Sequence, residues 1–175
     1  MNIGFLGLGK LGLPVALAIE SKGHTVFGTD INDLTLRNIR FKTLNYKEKG
    51  ASDLLKNSKL QIKNISNIVS DSDIIFVLIQ TPHEEKYEGS TRIPNERADF
   101  NYEFLKNGIK ELSDEIEKQS KDKIVVIIST VLPGTIRSHI KPLLGKHTKL
   151  CYNPYFIAMG TTIDDFLGAE INLFG

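Results

Sequence analysis

The sequence predicts an α/β domain of the doubly wound kind, a parallel sheet covered by helices on both faces, and three observations carry that expectation. The runs Ile74 to Ile79 and Ile124 to Ile128 are apolar without interruption, the pattern of strands buried on both sides. Between them, Phe104, Leu105, Ile109, Leu112 and Ile116 recur at steps of three and four with charges in between, as on an amphipathic helix from Asn101 to Gln119. At the start of the chain a short apolar run, three spaced glycines and an amphipathic segment follow without a break. Strands that alternate with helices in this way join by right-handed crossovers into one parallel sheet.

The first strand runs from Asn2 into Gly7, and a helix from about Lys10 to Ser21 follows, ended by Gly23. His24 to Gly28 reads as a second strand, with Asp30 directly behind it. Asn32 caps a helix that continues to Phe41. Lys42 to Gly50 is a polar, exposed connection containing Tyr46, and Ser52 caps a short helix ending at Asn57. Leu60 to Lys63 alternates like a short edge strand, and Ser66 to Ser70 makes a turn or two of helix. After the strand that stops at Gln80-Thr81-Pro82, the polar stretch His83 to Asp99 is a loop beside the carboxyl end of the sheet. The strand Lys123 to Ile128 ends in Ser129-Thr130, and a helix reaches Leu144 with its end shortened or kinked by Pro142. Lys149 to Tyr152 gives a short strand, and Ile171 to Phe174 a last one.

The glycines are spaced for a nucleotide. Gly7 frees the turn out of the strand, Gly9 leaves room for the backbone to approach a pyrophosphate, and Gly12 lets the helix pack closely. The phosphates would rest on the free amides of the first helical turn, at Lys10 and Leu11, where the helix dipole also favours an anion. Asp30 stands eighteen residues beyond Gly12, the place of an acid that binds the adenosine ribose hydroxyls. Its charge would repel a 2′-phosphate, which argues for NAD over NADP. The competing explanation is a glycine turn with no ligand. Thr81-Pro82 and Ser129-Thr130, each just past a central strand, converge on the edge where such sheets bind ligands, or else merely cap their strands.

Composition narrows the rest. The 175 residues fit one domain, and 22 basic against 21 acidic residues leave a net charge of +1, so no global field draws in nucleic acid or an anionic membrane. One cysteine, Cys151, allows no internal disulfide and no zinc cluster, His83 alone makes no metal site, and a buried inert thiol is the expectation for Cys151. The longest apolar runs fall far short of the roughly 20 residues of a membrane span, and the N-terminus lacks a signal-peptide pattern. A cytoplasmic, small-molecule-binding protein is the expectation.

Taken together, Gly7-Leu-Gly9-Lys-Leu-Gly12-Leu-Pro14, Asp30, Thr81-Pro82, Ser129-Thr130-Val131 with Pro133-Gly134-Thr135, and Asn153-Pro154 through Phe156, Gly160 and Asp165-Phe166 resemble the amino-terminal domain of the UDP-glucose/GDP-mannose dehydrogenases. The resemblance covers essentially all 175 residues and implies a single Rossmann-like, NAD(P)-binding domain. It implies NAD as cofactor, with Gly7, Gly9, Lys10, Leu11, Gly12, Asp30, Thr81, Pro82 and Thr130 along it and Thr130 nearest the reacting carbon. It implies a nucleotide sugar as substrate, oxidised from alcohol to acid through a cysteine-bound intermediate, and a homodimer is compatible with it. The family's second domain, which brings the nucleophilic cysteine, the catalytic lysine and much of the sugar site, is expected to be absent from this chain. Where the family has Glu after Asn-Pro, this chain has Tyr155, and Thr35 stands where many members carry lysine. Tyr155 is then expected to point toward the sugar, as a catalytic position without a carboxylate, while Phe156 and Phe166 pack on the sheet and Gly160 closes a turn. The alternative function is a dinucleotide-binding module or truncated relative without catalysis.

Overall fold

A computed structural model describes all 175 residues. Six strands form one parallel sheet in the order β3-β2-β1-β4-β5-β6: β1 (Asn2–Leu6), β2 (Thr25–Thr29), β3 (Gln61–Ile62), β4 (Ile74–Val77), β5 (Lys123–Ile127) and β6 (Thr148–Tyr152). The chain builds outward from β1 to β3, then returns across the sheet to β4 on the other side of β1. That return makes the carboxyl ends of β1 and β4 the topological switch point.

Period-two alternation sends the side chains of each strand to opposite faces, and two buried clusters result. On one face Ile3 and Phe5 of β1 pack with Leu13, Val15, Leu17 and Ile19 of α1 (Gly12–Ser21), with Leu55 of α3 (Ala51–Asn57) and with Ile163 of α6 (Thr162–Leu167). On the other, Leu6, Ile75, Val77, Val125 and Ile127 pack with Ile68 of α4 (Ile65–Asp71) and with Leu105, Ile109, Leu112 and Ile116 of α5 (Glu103–Gln119). The period of α5 is as the sequence predicts except at Phe104, which is 47% exposed. The side chain of Asn32 caps α2 (Asp33–Arg40), accepting from Leu34 N–H at 2.9 Å.

Five expectations are corrected. Helix α1 begins at Gly12 rather than Lys10, because the turn through Gly9 delays the first helical bond, from Leu13 N–H to the Gly9 carbonyl, 3.0 Å. Helix α3 is preceded by Gly50 in a left-handed conformation, φ +77°, so Ser52 lies inside it and does not cap it. The Lys42 to Gly50 connection is not wholly exposed, since Glu48 is buried. The helix after β5 is a π-helical turn, Ile136–Ile140, which tightens into a 3-10 turn, Lys141–Leu143, where Pro142 enters. Ile171 to Phe174 forms no strand. Its side chains are exposed, and the segment is tied to the sheet edge by the Asn153 side-chain amide, which donates to the Leu173 carbonyl at 2.8 Å, and by Gly175, which exchanges both backbone hydrogen bonds with Tyr152 at 2.8 and 2.9 Å. No helix is long and apolar enough to cross a membrane.

Candidate functional site

Four connections meet at the carboxyl edge of the sheet, after β1, β2, β4 and β5. The first is built by its glycines. Gly7 has φ +97°, a region that side-chain-bearing residues avoid, and a Cβ there would also run into the Leu78 carbonyl. A Cβ on Gly12 would strike the Gly7 carbonyl, so the helix can approach the strand end only as glycine. At Gly9 the space is open, with no atom within 4 Å of where a Cβ would stand. The amides of Gly9, Lys10 and Leu11 donate to no protein acceptor and sit at the start of α1, where unpaired N–H groups and the helix dipole favour an anion.

Asp30 faces this turn from the end of β2. Its Oδ2 accepts from Leu8 N–H at 2.7 Å and its Oδ1 from Asn32 N–H at 2.8 Å, so the carboxylate is pinned against the glycine turn while each oxygen keeps a lone pair. The first backbone rung beyond the strands, Gly7 N–H to the Thr29 carbonyl at 2.9 Å, holds the two connections in register.

The ends of β4 and β5 are tied to each other. Ile79 N–H donates to Oγ of buried Ser129 at 2.9 Å, and the Thr81 hydroxyl donates to the Thr130 carbonyl at 2.7 Å. Thr130 itself is exposed, and its hydroxyl has no protein partner. Pro82 is half-buried, and its carbonyl accepts from Asn101 N–H at 2.7 Å. The structure therefore brings Gly7, Gly9, Lys10, Leu11, Gly12, Asp30, Thr81, Pro82 and Thr130 to one edge of one sheet.

Tyr155 does not project as expected. Its ring packs on the α1 face against Phe166, ring centroids 5.2 Å apart, whereas Phe156 is 64% exposed. The two aromatic neighbours have exchanged places relative to the sequence expectation, because Phe166 on α6 offers the apolar partner on the side to which residue 155 turns. Burial, and then the nearby Cys151, pushes the Tyr155 phenol above its ordinary range. Gly160 does close a turn, with φ +101°. Cys151 is free and half-buried on β6, less enclosed than expected.

Two residues escaped the sequence reasoning. Glu48 is buried and holds the loop after β6 in place: its Oε2 accepts from Gly160 N–H at 2.9 Å and from the Thr162 hydroxyl at 3.0 Å. Nothing in its polar surroundings in the sequence marks it. Tyr102, buried at the start of α5, receives Leu132 N–H and the Thr135 hydroxyl on its own hydroxyl, both at 3.2 Å. Its only signal was an aromatic residue three positions beyond Asp99, the residue to which it donates.

The model of the UDP-glucose/GDP-mannose dehydrogenase family, NAD binding domain, matches residues 1–175. An uncharacterized protein of Methanocaldococcus jannaschii is 28% identical over 178 residues, covering 100% of this chain and 18% of that protein. The UDP-glucose 6-dehydrogenase of Rickettsia prowazekii is 31% identical over 174 residues, covering 95% of this chain and 37% of the enzyme. A ternary complex of GDP-mannose dehydrogenase from Pseudomonas aeruginosa superposes on all of this chain with a TM-score of 0.86 at 26% identity, using 41% of that chain. The chain thus spans well under half the length of the proteins it matches.

Proposed function

The chain belongs to the UDP-glucose/GDP-mannose dehydrogenase family as its NAD-binding domain, and we propose that it serves as the cofactor half of a cytoplasmic nucleotide-sugar dehydrogenase. The observation that carries this is the glycine turn at the switch point, with its open face at Gly9 and its three unpaired amides. These residues fit NAD. The amides of Gly9, Lys10 and Leu11 would hold the pyrophosphate, and Asp30, already fixed by two amides, would accept the adenosine ribose hydroxyls with its remaining lone pairs. Thr81, Pro82 and Thr130 would line the nicotinamide half, with the unpartnered Thr130 hydroxyl nearest the reacting carbon.

Bound NAD supplies the hydride-accepting chemistry. What these residues contribute is orientation, so that the nicotinamide face is presented to a sugar carbon. Tyr155 takes no part as a base in this reading: its ring is packed against Phe166, and a phenol whose pKa burial pushes still higher stays protonated and does not accept a proton near neutral pH. By themselves the 175 residues would bind NAD without oxidising a nucleotide sugar.

Calorimetric titration tests the cofactor reading. The chain is expected to bind NADH in preference to NADPH, and Asp30→Ala is expected to weaken NADH by about tenfold and to erase most of the preference. Equal affinity of the parent chain for both cofactors would overturn the role of Asp30.

A further inference from the structure

The residue that carries this inference is Tyr102, which lies outside the cofactor cradle. It sits one position before α5, is 7% exposed, and its helix is anchored in the core through Leu105, Ile109, Leu112 and Ile116. A buried phenol must place one proton and can accept at two lone pairs, and here all three are used. The proton goes to Asp99 Oδ1, and the lone pairs receive Leu132 N–H and the Thr135 hydroxyl. Asp99 is held in turn, because the same Oδ1 accepts from Phe100 N–H at 2.8 Å.

Thr130 stands at the centre of these restraints. On its amino side Ser129 is buried and bonded to Ile79 N–H, and its own carbonyl is bonded to Thr81. On its carboxyl side the chain turns, with Thr135 N–H donating to the Leu132 carbonyl at 3.1 Å, and the two ends of that turn both hang on the Tyr102 hydroxyl. The residue next to Tyr102 does the matching job on the other loop, since Asn101 N–H donates to the Pro82 carbonyl. The rigid start of α5 therefore grips both strand-end connections, and Thr130 is left with a free hydroxyl on a backbone restrained from both sides.

We infer that Tyr102 is a positioning residue, which fixes the Val131 to Thr135 turn and so aims Thr130 at the nicotinamide end of a bound dinucleotide. This rests on the reading of Thr130 given above. Burial, and then Asp99, pushes the phenol pKa above its ordinary value and so suppresses its ionisation, and Tyr102 stays a donor throughout the neutral range.

The test compares NADH with ADP-ribose, which keeps the adenosine and pyrophosphate and lacks the nicotinamide ring. The parent chain should bind NADH more tightly than ADP-ribose. Tyr102→Phe keeps the ring and removes the hydroxyl. It should lower that advantage by about tenfold, leave ADP-ribose affinity within about twofold, and preserve the far-ultraviolet circular dichroism. A general loss of structure would weaken both ligands together, so the ratio separates positioning from folding. Should Tyr102→Phe fail to fold, Thr135→Val, which removes one of the two donors, is read the same way and should lower the ratio by a smaller factor. A parent with the NADH advantage and a folded variant that retains it in full would overturn the role of Tyr102 alone. A parent that binds NADH and ADP-ribose equally would overturn the placement of Thr130, and this inference with it.

Discussion

The Thr81 hydroxyl donates to the Thr130 carbonyl at 2.7 Å, joining the connections that leave β4 and β5. Its proton is committed to that bond while its oxygen can still accept, and the Thr130 hydroxyl is committed to nothing. Thr81→Val has the same shape and removes the tie. It should weaken NADH by about fivefold to tenfold, the effect of one lost hydrogen bond, whereas Thr81→Ser should bind within about twofold of the parent. Calorimetry on the two variants decides it, and equal weakening by valine and serine would count against the tie.

The glycines at positions 9 and 12 should respond to substitution in opposite ways. A side chain at Gly9 points into open space and the backbone there is outside the left-handed region, so Gly9→Val should fold normally and fail to bind NADH. At Gly12 even a methyl group meets the Gly7 carbonyl, so Gly12→Ala should cost about 1–3 kcal/mol in urea unfolding. Normal NADH binding by a folded Gly9→Val chain would remove the pyrophosphate from this turn.

Much of this was legible in the sequence, and what was not has a physical reason. The central strands and α5 announce themselves because burial on two faces and burial on one stripe leave different periods. The glycine turn is legible because backbone geometry there excludes other residues. Tyr155 and Phe156 were exchanged because which of two adjacent aromatic residues turns inward depends on Phe166, eleven positions from Tyr155 on another element. Glu48 was invisible for a similar reason: its partners, Gly160 and Thr162, lie more than a hundred residues away, and nothing local distinguishes a buried carboxylate from a solvated one. Ile171 to Phe174 has the composition of a strand, yet its side chains stay largely exposed and its tie to the sheet edge is the Leu173 carbonyl, which accepts from the Asn153 side-chain amide at 2.8 Å; composition alone does not supply a paired strand.

Acid should reveal one pairing between the helices on the α5 face. Glu115 accepts from the Gln119 amide, from the Ser66 hydroxyl of α4 and from Lys118, which lowers its carboxyl pKa to about 2. A depressed carboxylate stabilises the fold fully above its unfolded value, near 4.5, and that contribution disappears as pH falls toward about 2. Urea midpoints measured across that interval should fall less steeply for Glu115→Gln than for the parent. Parallel curves would show that Glu115 does not contribute to the acid limb.

Turnover should be absent from these 175 residues with UDP-glucose or GDP-mannose and NAD, followed as NADH formation, against a benchmark of about 1–10³ per second for working enzymes. Tyr155→Glu should not restore it, because residue 155 faces Phe166 and the α1 side, where a carboxylate would gain a buried charge and no substrate. Substrate-dependent turnover by either chain would overturn the assignment of these residues to cofactor binding alone.

The hydrogen bonds between Gly175 and Tyr152 also bear on how the molecule keeps apart from copies of itself. An open parallel sheet ends in strands whose outer amides and carbonyls can recruit another chain. At one margin β3 is only two residues long, too short a template to matter. At the other, β6 presents Thr148, Leu150 and Tyr152 outward. The Thr148 amide is taken by the Gly145 carbonyl, and both groups of Tyr152 are taken by Gly175, so the open stretch is the Thr148 carbonyl with the Leu150 amide and carbonyl. An incoming strand meets only those three groups before it reaches Gly175, so a single glycine pairing shortens the template that this margin offers.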